Sequence, residues 1–187
     1  DSHGMNRRFV RLTNLTPNTI YYFVLNNDSG SGNRYWFKTQ PDAPEKMSIV
    51  AGGDTRSDYQ VRKNGFKLVA KLSPNIVYFG GDYTNRATDQ QYIDWFDHWQ
   101  FTTKADGKMM PIVGCRGNHD GARDVEELFD FPDVDGNNNE YFALNFGGNL
   151  WRAYVLNTEV SIGGSQTKWL KTDLESSWNF KWRTAIY

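Results

Sequence analysis

Cysteine is nearly absent from this chain. Cys115 stands alone among 187 residues, which excludes an internal disulfide framework and any cysteine-rich zinc site. Histidine is almost as scarce, with only His3, His98 and His119. No apolar run approaches the ~18–20 residues that span a bilayer. The opening DSHGMNRRF also lacks the apolar central stretch of a secretory signal. Charge of one sign is missing as well. The net charge is −1, and no block of like charge is long enough to act as a nucleic-acid arm or a membrane patch, so neither partner is expected. What the chain does have is aromatic side chains, seven Trp, ten Tyr and twelve Phe, with a hydrophobic share of 39% that belongs to a folded globular protein. Its length fits one domain or one and a half, and it contains no internal repeat or low-complexity tract.

Two textures meet near residue 40. Residues 9–40 read as short strands, FVRLTNL, TIYYFVLNN and NRYWFKT. In the second, Tyr21, Phe23 and Leu25 alternate with Tyr22 and Val24, the period of a strand with one face inward. DSGSGN (28–33) reads as a flexible hairpin loop between the last two. QPDAPEK (40–46) has linker composition, and residues 41–46 are assigned to the linker.

Beyond it the period changes. A short apolar strand, Ser48–Val50, leads through Ala51–Gly53 to Asp54. Ser57 with Gln60 reads as a capping box opening a helix that runs to about Leu72 and is ended by Pro74. NIVYFGGD (75–82) is a second buried strand. Thr88 with Gln91 opens another helix, which sets Tyr92, Trp95, Phe96 and Trp99 on one face. MMPIVGCRGNHD, ending at 120, is a third strand. Strand, helix, strand, helix, strand at this spacing predicts right-handed crossovers and a mostly parallel sheet. EYFALNF and LWRAYVLN read as neighbouring strands of a meander, QTKWLKTDLESSW as a helix and FKWRTAIY as one more strand.

In open parallel sheets, ligands bind outside the carboxyl ends of the strands. Here those ends read GGDTR (52–56), GGDYTNR (80–86) and RGNHD (116–120). Each has a glycine just before its polar residue, which lets the backbone turn sharply and approach a ligand. Each also presents an oxygen donor, Asp54, Asp82 and Asn118, of the kind that suits hard or borderline cations. The separations, 28 residues from Asp54 to Asp82 and 36 from Asp82 to Asn118, are about one crossover each. The three donors are therefore predicted to converge at one sheet edge, where two metals ~3.5–4 Å apart can clamp a phosphate.

GD…GD…GNHD over residues 47–187 resembles the calcineurin-like metallophosphoesterase superfamily, whose domain is built of α/β sheet-and-helix layers. LTNLTPNTIYYF and FKTQP resemble the last strands of a fibronectin type III-like all-β sandwich, with Leu15-x-Pro17-x-Thr19-x-Tyr21 matching its tyrosine corner. That order of modules is the arrangement of purple acid phosphatases. VLNTEVSIGGSQTKWLKTDLE also resembles the stretch leading to that group's next active-site histidine. The resemblance implies an end of a fibronectin-like domain over 1–40 and the front part of a catalytic domain over 47–187. It implies Asp54 on a first metal, Asp82 bridging both, Asn118 on the second, and His119 over the substrate as hydrogen-bond or proton donor. The metals would be two divalent or trivalent ions, Fe, Zn or Mn, and the substrate a small phosphate ester. Arg86 matches a phosphate-gripping arginine of the phosphoprotein phosphatase branch, or is a solvated loop arginine. A fibronectin-like module favours a secreted or periplasmic compartment. Asn14-Leu-Thr16 and Asn27-Asp-Ser29 would then be glycosylation acceptors.

Three departures bear on this. Arg56 stands where many relatives place a ligand histidine, and arginine cannot ligate a metal. Asn85 stands where purple enzymes place a metal-binding tyrosine, and Tyr83 is on the wrong side of the loop to replace it. The family's later histidine ligands, the last in a Gly-His-x-His motif, have no counterpart here, since His98 lies on a helix at a solvated or core-edge position. The chain resembles the interior of a longer polypeptide whose remainder would complete the site. Two functions stay open, a two-metal hydrolase of phosphate monoesters and a degenerate binding or structural protein. DVDGNNNE (133–140) reads as a polar turn and Cys115 as a buried inert thiol.

Overall fold

A computed structural model of the chain describes residues 2–3, 7–132, 134, 140–161 and 163–187. Two-residue strands β1 (Ser2–His3) and β2 (Arg7–Arg8) pair antiparallel. A hairpin follows, β3 (Ile20–Asn27) with β4 (Gly30–Lys38), its register running from Ile20 opposite Lys38 to Asn27 opposite Gly30. Two of the strand expectations need correction. FVRLTNL is not a strand, and the hairpin turn is the two residues Asp28 and Ser29 rather than the whole of DSGSGN. Gly30, at φ 116, takes the backbone shape that lets pairing resume at once. Tyr21–Phe37 and Phe23–Tyr35 pair across the hairpin, and Tyr21 Oη accepts from the Thr16 N–H at 2.8 Å. Trp36 ties the hairpin to the rest of the chain, its N–H donating to Gly107 O and its carbonyl accepting from Met109.

The remainder is layered. β5 (Ile49–Gly52), β6 (Ile76–Phe79) and β7 (Ile112–Gly114) form a parallel sheet in that order. α1 (Tyr59–Leu72), α2 (Asp89–Trp99) and the short α3 (Ala122–Leu128) separate or follow these strands. β8 (Phe142–Phe146) and β9 (Trp151–Val155) pair antiparallel, as the meander reading expected. β10 (Trp182–Ile186) joins β9 in parallel after α4 (Ser165–Ser176).

The central strand β6 shows why the layers stack this way. All four of its residues are buried, and alternate ones serve opposite cores. Val77 and Phe79 face Phe66 and Val69 of α1 and Tyr92, Trp95 and Trp99 of α2. Ile76 and Tyr78 face Phe142 and Phe146 of β8 and Trp151, Ala153 and Val155 of β9. On the far side of the second sheet, Arg152 and Tyr154 hold Asp173 of α4.

The helix ends follow their caps. Asp58, one residue later than the sequence suggested, caps α1, because its carboxylate accepts from both the Gln60 and Val61 N–H groups. Ser73, in left-handed backbone before Pro74, closes it. Thr88 caps α2 as expected, but the Gln91 side chain reaches further back, to the Asn85 and Arg86 N–H groups. His98 lies at the core edge and is buried. Its Nδ1 accepts from the Arg62 guanidinium, and burial together with Arg62 holds its pKa below the usual imidazole value. Cys115 is fully buried, and burial pushes its thiol up to about 12. DVDGNNNE lies outside the described residues except for Val134 and Glu140. No helix among the described residues is long and apolar enough to cross a membrane.

Trp95 anchors the helical layer, stacked on Trp99 at 5.2 Å and edge-on to Phe66, Phe79 and Tyr83. Trp95→Ala is expected to cost about 3–5 kcal/mol in chemical denaturation. Trp95→Phe is expected to cost clearly less.

Candidate active site

The loops after β5, β6 and β7 meet at one edge of the first sheet, and they meet backbone to backbone. The Asp54 N–H donates to Gly81 O at 3.0 Å and the Thr55 N–H to Asp82 O at 3.2 Å. The His119 N–H donates to Asp82 Oδ1 at 3.0 Å. Glycines make the approach possible. A Cβ on Gly53 would come within 2.9 Å of Gly80, one on Gly81 within 2.4 Å of the Gly117 nitrogen, and one on Gly117 within 2.2 Å of Asp82 Oδ1. Both aspartates turn through left-handed backbone, Asp54 at φ 52 and Asp82 at φ 56. Such a conformation costs about 1–3 kcal/mol outside glycine and persists where its surroundings hold it, often at a functional site.

The two carboxylates gather around one cation. Arg56 Nε lies 3.1 Å from Asp54 Oδ1, and Arg56 Nη1 pairs with Asp82 Oδ2. Asp82 is almost enclosed while Asp54 is open to solvent. Asn118 is exposed at the tip of the third loop, next to the His119 amide that binds Asp82. The His119 ring is oriented by Nδ1, 3.0 Å from the Asn85 carbonyl oxygen. A carbonyl only accepts, so Nδ1 carries the proton and Nε2 is the free ring nitrogen. The group of residue 85 that holds the ring is its main-chain carbonyl. Arg86 is exposed on the same loop, its N–H bound to Gln91 Oε1, and its guanidinium joins no ion pair among the described residues. Tyr83 points away from the site, fully buried and stacked on Phe79 at 4.8 Å.

Behind this edge lies a polar layer that sequence reading missed. The Asp120 carboxylate accepts from the N–H groups of Asp82, Tyr83, Thr84 and Gly117. Glu140 is buried next to it. One of its oxygens accepts from Asn157 Nδ2 at 3.2 Å and lies 3.7 Å from Arg116 Nη1, and the other has no hydrogen bond among the described residues. The only available signal was the last letter of GNHD, an acidic residue at a turn rich in free backbone N–H groups. Glu140 carried no local pattern at all.

The sequence profile of calcineurin-like phosphoesterases matches residues 47–182. The chain belongs to that family. Among solved structures, this calcineurin-like phosphoesterase is similar to the purple acid phosphatase PPD1 from yellow lupin (Lupinus luteus) seeds, at 17% identity and a TM-score of 0.65, over 93% of this chain and 37% of that one. It is also similar to PhoD, at 17% identity and a TM-score of 0.68, over 91% of this chain and 47% of that one. At such identity the likeness is one of fold, and the chain spans less than half of either protein. No curated protein matches it.

Membership implies metal ions as cofactors, and the donors present fit them in part. Two carboxylates and an amide oxygen are hard or borderline ligands, and the carboxylates already surround a positive charge. No cluster of three His, Cys, Asp or Glu that could hold a metal occurs among the described residues.

Gly117→Ala forces a methyl group against Asp82 and is expected to cost at least about 1–3 kcal/mol in a denaturant titration. A second expectation concerns pH. Burial pushes the Asp120 carboxyl up to about 6 and that of Glu140 up to about 7, from ordinary values of 3.8 and 4.5. The folded chain holds these protons more tightly than the unfolded one. The stability they contribute is full below the ordinary values and is lost as the pH rises through about 7. Glu140→Gln is expected to flatten that fall when melting is followed from acid to mildly alkaline pH.

Proposed function

We propose that this chain forms part of a metal-dependent phosphoesterase that hydrolyses phosphate monoesters at a two-metal centre. The observation that carries the reading is the pair Asp54 and Asp82, both in left-handed turns, drawn onto one cation beside the His119 loop. Asp54 would hold the first metal, Asp82 would bridge, and Asn118 would hold the second. The ions would be Fe, Zn or Mn, with the remainder of a longer polypeptide completing the shell. The chemistry that two metals supply there is neutralisation of charge on the phosphoryl oxygens and activation of the attacking water. Arg56 must release the carboxylates for this to happen, and its guanidinium then remains at the mouth of the site as a phosphate-binding group. His119, with Nδ1–H committed to the Asn85 carbonyl, keeps Nε2 to hold a proton for the leaving-group oxygen. Arg86 is assigned to the same phosphate at longer reach.

Residues 1–40 are read as the closing strands of a fibronectin type III-like domain, with 41–46 as linker. The hairpin and the bond from the Thr16 N–H to Tyr21 Oη support this, and a secreted or periplasmic location goes with it.

The test uses the full-length polypeptide and an aryl phosphate, with Mn²⁺, Zn²⁺ and iron supplied in turn. His119→Ala is expected to lower kcat by about 10²–10⁴ with metal content near that of wild type. Asp82→Ala is expected to lose metal and activity together. Full turnover by His119→Ala would remove this loop from the chemistry. A wild-type protein with neither metal nor hydrolysis would leave the fold as a binding module.

A further inference from the structure

We propose that Asp120 is a positioning residue of this site, whose carboxylate sets the turn of Asp82 against the loop carrying Asn118 and His119. The proposal rests on the phosphoesterase reading above. Asp120 Oδ2 accepts from the Asp82 N–H at 2.7 Å and from the Gly117 N–H at 3.0 Å. Its Oδ1 accepts from the Tyr83 N–H at 3.1 Å and from the Thr84 N–H at 3.4 Å. Four main-chain donors from two different loops thus end on one side chain that is only 3% exposed. Three of them come from consecutive residues, a concave array of N–H groups that an anion fills.

The carboxylate stands where the strain is. Asp82 holds φ 56, and the bonds from its own N–H and the next two oppose relaxation of that turn. From the other direction the His119 N–H binds Asp82 Oδ1, and His119 is the residue next to Asp120. The segment 117–120 therefore grips Asp82 twice, by its backbone through Asp120 and by its carboxylate through His119. Asp120 is itself held by its N–H to Gly117 O at 3.1 Å and by Arg116 Nε on its carbonyl at 3.0 Å. Among the described residues the hydrogen bonds of the carboxylate all go to the main chain, so Asp120 acts through Asp82 and not on substrate.

Asparagine is the informative replacement. It has the shape of aspartate but one acceptor oxygen, so it satisfies one pair of N–H groups and turns its own N–H donors on the other. The experiment takes the full-length wild type, Asp120→Asn and Asp120→Ala, each assayed well below its melting temperature. Mn²⁺ and Zn²⁺ are titrated calorimetrically without substrate, aryl phosphate kinetics are measured, and amide exchange is followed at residues 82–84. Asp120→Asn is expected to stay folded, to exchange faster at those amides, and to lose about 10–100-fold in metal affinity and in kcat, with KM moving less. A merely structural residue would lower the melting temperature and leave metal affinity and kcat per folded molecule intact, and that result overturns the proposal. Wild-type affinity and kcat in Asp120→Asn overturn it too, while leaving the phosphoesterase reading in place. A wild type that neither binds metal nor hydrolyses the ester removes both.

Discussion

Everything at the functional edge depends on how closely the backbones of residues 80–82 and 117 approach. Gly81 and Gly117 touch across a gap that admits no side chain, and the carboxylate of Asp82 occupies the space a Cβ on Gly117 would need. Because the two loops are in main-chain contact, hydrogen bonds between and around them have little room to rearrange. Asp54 and Asp82 both turn through left-handed backbone beside that contact. A chain must double back sharply to present a carboxylate outward from a loop already pressed against its neighbour.

The layers behind the edge keep it rigid. β6 delivers Asp82 while burying all four of its own residues in two cores. Trp95 belongs to the helical core yet donates its indole N–H to Thr55 Oγ1 at 3.0 Å, so the loop bearing Asp54 and Arg56 is braced by the centre of α2. Tyr83 plunges into the same core one residue after Asp82 and pins that loop from beneath. The site is thus open at Asp54 and Asn118, nearly enclosed at Asp82 and buried in its supports.

Much of this was legible in the residues. Period 2 marked β3 and period 3.6 marked α2, a cap and Pro74 marked the extent of α1, and short apolar runs marked the parallel strands. The strand-end motifs pointed to Asp54, Asp82, Asn118 and His119, since glycine followed by a donor at a strand terminus is a local pattern. The hairpin was harder. Gly30 and Ser31 have loop composition but pair because the Asp28–Ser29 turn brings them opposite β3, and the register shifts before pairing resumes at Arg34. FVRLTNL has strand composition but forms no strand. The Arg56 ion pairs, the donors on Asp120 and the burial of Glu140 depend on side chains from distant segments meeting, and no spacing announces that.

The acceptor that orients the His119 ring is a carbonyl, a group that every residue possesses. What position 85 must preserve is therefore a path of the chain and not an identity. A side-chain truncation there leaves the imidazole as it was, whereas an altered tether between that loop and Gln91 can turn the ring without touching either partner. The tautomer of the site's histidine is thereby written into the course of the backbone, where comparison of residue letters cannot read it.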